Sequence, residues 1–326
     1  MSTGATGTVT GHELVLFDTN VWRHLAAHDR AMETRAALKS AGRRGAVSPL
    51  NIDELVRTPD DIQLRAMVDV ACRRWWVRLM PIGFLDVEQL VSAIRRHRPE
   101  WVRRDPDWRR FAYERGAYLT NDHNSYWKAV RRQPREYANS NEQNDEVRRL
   151  QEAITREAKK VVPHFDSSRV GDAMVEPLEV SLPGTTIHGR AIESWRFQCA
   201  NSVWLRIDPR ESGPMGALWF DCFIERSAIS PSDWWSFWAD DVTPADVSRE
   251  WLRCATFHLQ ATRKVGPGVA GDLALVSHLV DVGAFATCDR PLFDIVEKIR
   301  PVAPFEFAKV VYGPDLNSLL PQLQPV

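Results

Sequence analysis

Apolar positions near the start of the chain come in short blocks separated by helical spacing. Leu14 to Phe17 (LVLF) is a continuous apolar run, the pattern of a strand covered on both faces, as in a parallel sheet. It stops at Asp18, and VWRHLAAHDRAMETRAALKSA follows at helical spacing with GRRG as a stop. Ala46 to Ser48 predicts a second short strand. Ser48 then reads as an N-cap with Pro49 at the first helical position, opening a helix through NIDELVR. TPDD opens another helix, with Thr58 as its cap and Asp60 and Asp61 in its first turn. WVRLMPI predicts a third strand and DVEQLVSAIRRH a helix.

From about residue 99 the rhythm is lost. NDEVRRLQEAITREAKK predicts a polar helix, residues 161 to 235 follow no clear period, and the Asn-rich run Asn139 to Asp145 predicts a loop. WADDVTPADVSREWLRCATFHLQATRK is helical, with Thr243 capping, Pro244 at the first position, and Asp240 and Asp241 serving the helix start. Gly266-Pro267-Gly268 breaks it. The first rhythm then returns: GDLALVSHLVDVG a helix, AFAT a strand, DRPLFDIVEKI a helix and FEFAKVVYG a last strand. The alternation at both ends predicts one α/β domain with a parallel sheet, α/β/α in layers, built from residues 11–98 and 262–322. A large, mostly helical insertion over 99–261 interrupts it. The first ten residues read as a flexible tail.

Composition narrows the function classes. Lys plus Arg total 42 and Asp plus Glu 43, so any basic surface is local. The five cysteines are widely spaced without CxxC, which predicts reduced thiols rather than disulfides or a zinc site. No stretch is apolar enough to span a bilayer and the N-terminus lacks a signal peptide, so a cytoplasmic protein without membrane contact is expected. GxGxxG, GxxxxGK[ST] and GxSxG do not occur, which argues against nucleotide-binding loops and serine hydrolases. His24 and His28 stand four apart on the first helix, but no third ligand supports a metal pair.

The acids carry more. In open α/β sheets, sites form outside the carboxyl ends of the strands. Asp18 ends the first strand and Asp289 follows AFAT. Asp272 begins the helix leading into AFAT, and Glu54 lies in the second turn of the helix after the second strand. Four carboxylates converging there would repel and raise one another's pKa unless a cation neutralised them. An all-carboxylate set favours Mg²⁺ or Mn²⁺. Each acid also has a plainer role: Asp18 and Asp272 as N-caps, Glu54 paired with Arg57, Asp289 in a turn before Pro291. Asp281, nine residues on and about 180° around the helix from Asp272, and Asp53, about 100° from Glu54, should point away.

The order and setting of these acids resemble the PIN-domain nuclease family. LVLFDTNVWRHL (Leu14 to Leu25), SPLNIDELVR (Ser48 to Arg57) and GDLALVSHLVDVGAFATCDRPLF (Gly271 to Phe293) carry the likeness, which covers the two ends of the chain. The resemblance implies metal-ligand and catalytic roles for Asp18, Glu54, Asp272 and Asp289, with Asn20 and Thr287 orienting them. It implies an endonuclease, foremost an endoribonuclease, that hydrolyses single-stranded RNA with a metal-activated water, with DNA as a further substrate. Many members are toxins of toxin–antitoxin pairs, so an antitoxin or other inhibitory protein is an implied partner. Two other readings stay open: a haloacid-dehalogenase-like Mg²⁺ phosphatase, for which Asn20 stands where a second Asp is needed, and a non-catalytic module binding RNA or protein.

Arg73 to Arg135 holds 15 Lys plus Arg against 7 Asp plus Glu, interleaved with aromatics. That mixture suits single-stranded nucleic acid, with Arg103, Arg104, Arg109 and Arg110 on phosphates and Trp101 and Trp108 stacking on bases. The competing reading is a core whose aromatics are covered by Arg stems. The second aromatic cluster, Trp219 to Trp238, reads as core or interdomain contact.

Overall fold

The computed structural model describes residues 13–120, 125–140, 153, 180–182, 185–187, 194–207, 219–261 and 269–323. Strands β1 (Leu14–Phe17), β2 (Arg44–Val47), β3 (Val77–Arg78), β4 (Ala284–Thr287) and β5 (Lys309–Tyr312) form one sheet in the order β3-β2-β1-β4-β5. All neighbouring pairs are parallel. Residues from the two ends of the chain meet at its centre, with Val15 opposite Ala284 and Phe17 opposite Ala286.

Helices α1 (Thr19–Ala27) and α2 (Ala31–Ser40) connect β1 to β2, and α3 (Pro49–Leu55) and α4 (Asp61–Ala71) connect β2 to β3. After β3 come α5 (Ile82–His97), α6 (Trp108–Leu119), α7 (Tyr126–Arg132) and α8 (Pro134–Ser140). Then α9 (Ser194–Ile207), α10 (Pro231–Ser236), α11 (Ser248–Ala261) and α12 (Val269–Val276) precede β4; α13 (Arg290–Ile299) joins β4 to β5, and α14 (Leu316–Leu319) follows. A small hairpin pairs Val180–Leu182 with Thr185–Ile187.

The side-chain alternation of a strand splits the core in two. Leu14, Leu16, Ala46, Phe285 and Val310 face one layer, formed by α5, α9, α10, α11 and α13. Val15, Phe17, Val47, Ala284, Ala286 and Val311 face the other, formed by α1, α3, α4, α7 and α14. The described aromatics of 99–261 join these layers instead of closing a core of their own. Trp101, Trp219, Trp234, Trp235, Phe237 and Trp238 are buried in the first layer, and Trp127 in the second. The Trp219-to-Trp238 cluster is therefore core.

Several boundaries differ from expectation. The first long helix divides at Asp29, whose φ of 49° is left-handed, a conformation that Asp tolerates better than most residues. Asp60 caps α4 in place of Thr58, its carboxylate accepting from Gln63 N at 2.8 Å; a carboxylate outranks a threonine hydroxyl at that position. Helix α12 starts at Val269, which puts Asp272 in its first turn, and a 3-10 turn over Ser277–Val280 replaces its expected continuation. Asp241 pairs with Arg98 at 2.8 Å, and a capping box of Thr243 with Asp246 opens the next turn. The N-terminal tail, the polar helix after Asn144 (apart from Ala153, which is helical) and the Gly266-Pro267-Gly268 break lie outside the described residues. None of the five cysteines is in a disulfide, and no described helix is long and apolar enough to cross a membrane.

Candidate active site at the carboxyl edge of the sheet

The strand order reverses at β1: the chain runs outward through β2 and β3 on one side and through β4 and β5 on the other. Such a switch point leaves a crevice outside the carboxyl ends of the two central strands. Asp18 sits directly after β1 and Asp289 two residues after β4. Glu54 comes from α3 and Asp272 from α12. These four, with Asn20, Arg23, Arg57 and Gly271, line one cleft of about 460 Å³.

Each acid is held by its local structure. Asp18 is buried, and its Oδ1 accepts from Thr19 N at 2.6 Å. Its Oδ2 accepts from the Thr287 hydroxyl at 2.8 Å, and the same hydroxyl accepts from Asp289 N at 2.9 Å. Thr287 therefore ties the ends of β1 and β4 together. Asp289 caps α13 through Leu292 N at 2.9 Å. Asn20 accepts from Arg23 at 2.8 Å, and the same guanidinium reaches Glu54 Oε1 at 3.5 Å, so Asn20 acts on Glu54 through Arg23. A Cβ on Gly271 would stand 3.3 Å from Glu54 Oε2; the glycine keeps α12 close to that carboxylate.

The electrostatics follow from that crowding. Burial is the main cause that pushes the Asp18 carboxyl up to about 7; repulsion from Glu54 and Asp289 adds to it, against the Thr287 and Thr19 hydrogen bonds. Burial and the neighbouring Asp18, Glu54 and Asp289 raise Asp272 well above the usual carboxylate range. Asp53 turns away, accepting from the Tyr137 hydroxyl at 2.7 Å. Asp281 belongs to a separate network with Arg249 and His278.

That network fixes two walls of the cleft. Ser48, the cap of α3, contacts His278 Nε2 at 2.7 Å, and His278 Nδ1 contacts Asp281 at 3.0 Å. Ser48 and His278 are fully buried. Although Ser, His and Asp are linked in sequence, no substrate can reach the serine, and the chain of bonds serves to hold α3, bearing Glu54, against the end of α12, bearing Asp272.

Among the residues expected to touch nucleic acid, Trp101 requires correction. It is 2% exposed, 6.2 Å from Trp234 and 5.4 Å from Phe237 between ring centroids, so it has no free face for a base. Composition alone does not separate a stacking tryptophan from a core one, and burial of so large an apolar ring wins. Trp108 is exposed, with Arg95 over its ring at 5.3 Å. Arg104, Arg109 and Arg110 are exposed, while Arg103 donates to Asp221 O at 2.6 Å. The recess beside them also contains Glu100, Asp105, Asp107 and Glu225, so its charge is balanced. A second basic recess, formed by Arg35, Lys39, Arg43, Arg44 and Arg74, was not evident from the sequence because its cations come from separate segments.

The donor chemistry of the cleft suits a hard divalent cation: four carboxylates, no soft ligand, and two carboxyl groups driven up by burial and mutual repulsion. As placed, no group of three His, Cys, Asp or Glu among the described residues is close enough together to hold a metal ion. His24 and His28 stack on each other, 6.2 Å between centroids. The chain matches no protein-family model, no curated protein and no solved structure.

Proposed function

We propose that the chain is a PIN-like, metal-dependent nuclease that hydrolyses phosphodiester bonds, with RNA as its substrate. The observation that carries this reading is the meeting of Asp18, Glu54, Asp272 and Asp289, from four distant segments, in one cleft at the switch point of a parallel sheet. A bound Mg²⁺ or Mn²⁺ would supply an activated water and offset the charge developing on the phosphodiester.

The protein's own groups do the rest. Asp18, Glu54, Asp272 and Asp289 would hold the ion, drawing closer than they stand without it. Thr287 orients Asp18, and Arg23 steadies Glu54. Binding would ionise the raised carboxyls of Asp18 and Asp272, releasing protons, so activity should rise with pH. Arg23 and Arg57 bring positive charge into a cleft that would otherwise repel a phosphate. Asn20, already accepting from Arg23, offers no proton to a leaving group, which speaks against a phosphatase using an acid there.

The test is cleavage of end-labelled single-stranded RNA with Mn²⁺ or Mg²⁺, and with chelator, by the wild type and by Asp18→Asn. Products with 5′-phosphates from the wild type alone, and only with metal, are expected. Equal cleavage by both proteins would overturn the reading.

A further inference from the structure

The two recesses rich in arginine differ in one respect. Where Arg103, Arg104 and Arg109 gather, four acids gather with them. The recess of Arg35, Lys39, Arg43, Arg44 and Arg74 has no acid in its lining and a volume of about 330 Å³. None of these cations forms an ion pair with a described residue, whereas Arg30, Arg131 and Arg135 nearby in the same layer all do. A chain with a net charge of -1 thus concentrates uncompensated positive charge around one hollow.

The hollow is built to hold its shape. Its floor is Trp76, whose Nε1 donates to Val70 O at 2.9 Å and whose ring meets Phe17 and Trp22 edge-on. Gly45 makes room for it, since a Cβ there would fall 2.6 Å from the indole. Beside it, Trp75 carries two guanidinium groups over its ring, Arg35 at 5.0 Å and Arg73 at 5.1 Å. Stacking leaves the edge N–H groups of an arginine free for bidentate bonds to phosphate oxygens. The Trp75 indole Nε1 is buried without a hydrogen-bond partner. Because guanidinium groups occupy the tryptophan, the hollow suits phosphates and not stacked bases.

Its place is opposite the carboxylates. Arg43 and Arg44 open β2, and Arg73 to Trp76 lead into β3, at the amino ends of the strands. The acidic cleft lies beyond their carboxyl ends, at least roughly 13 Å away along four residues of strand.

We propose that this hollow is an exosite for the sugar–phosphate backbone of the RNA that enters the acidic cleft, gripping it without regard to sequence. The choice of RNA rests on the nuclease reading. The cleft's own charge is unfavourable to a polyanion, and a separate cationic hold supplies the affinity it lacks.

Binding in chelator, where no cleavage is needed, tests this apart from catalysis. Fluorescence anisotropy of a labelled 20-nucleotide RNA would be measured against salt for the wild type, for Arg35→Gln/Lys39→Gln/Arg74→Gln, and for Arg104→Gln/Arg109→Gln, with folding checked by circular dichroism. The triple variant alters exposed side chains and should fold; it should bind about tenfold or more weakly, with a salt slope shallower by about 2. The double variant should bind as the wild type does. An unchanged triple variant, a loss confined to the double variant, no RNA binding by the wild type, or polyglutamate competing as well as RNA would each overturn the exosite. If the wild type cleaves RNA but the triple variant binds normally, the exosite fails and the nuclease stands. If binding is lost in the triple variant while no protein cleaves, the reverse holds.

Discussion

The burial of Asp18 costs the fold stability as pH rises. An aspartate ordinarily ionises near 3.8, and this one is pushed up to about 7. Between those values the unfolded chain has released a proton that the folded chain retains, so stability falls as pH rises through that window. For this group the loss is on the order of 4 kcal/mol at most. Without divalent metal, the thermal midpoint should drop between pH 5 and pH 8, and Asp18→Asn should reduce that drop while abolishing cleavage. Identical pH profiles for the two proteins would show that Asp18 is not strained. The four acids were legible at this scale because Asp18 and Asp289 follow apolar runs, Asp272 stands at a helix start and Glu54 lies in the second turn of one, in a parallel sheet whose layout can be reasoned out. The hollow at Arg35 and Arg44 was not, since pairing with acids depends on tertiary neighbours.

Elements place the acids, and small changes in their packing should register as activity before stability. In Gly271→Ala the new methyl would meet Glu54 Oε2 at 3.3 Å. Alanine favours a helix by up to about 1 kcal/mol over glycine, so the urea midpoint should hold or rise while metal-dependent cleavage falls, by as much as about 10²-fold if Glu54 is displaced. Unchanged cleavage would mean that Glu54 tolerates the shift. His278→Ala should do the opposite to the fold. It leaves Ser48 and Asp281 without their shared partner, costing roughly 1–3 kcal/mol in a urea titration, and loosens α3 against α12. Asp281, though buried, is held below its usual value by His278 and Arg249. That contribution is present near neutral pH and lost as pH falls through its lowered value. Strands and most helices could be read from periodicity. The break at Asp29 could not, because the apolar spacing continues across it and only the backbone angle reveals the turn.

At the scale of the whole molecule, the stretch between the two sheet-forming ends shares its core with them. Trp101, Trp234 and Phe237 lie in the same buried layer as Leu16 and Phe285. Trp234→Ala should therefore cost about 3–5 kcal/mol, and tryptophan fluorescence and far-ultraviolet circular dichroism should report one coincident unfolding transition. Two separated transitions would show that the middle folds by itself. An ion that binds only the folded cleft should also raise the thermal midpoint at pH 8, in the wild type and not in Asp18→Asn. The sequence suggested an insertion because its helical rhythm failed after residue 99. It could not show that so many aromatics would be spent covering one face of the sheet.

Placing β4 between β1 and β5 has a consequence for how the protein comes into being. A ribosome delivers Asp18 and Glu54 early, yet Thr287 and Asp289 emerge only after more than two hundred further residues. Until then β1 has a bare flank and Asp18 lacks its hydroxyl donor. On the nuclease reading proposed above, such a chain stays inert until the segment carrying β4 and Asp289 has left the ribosome.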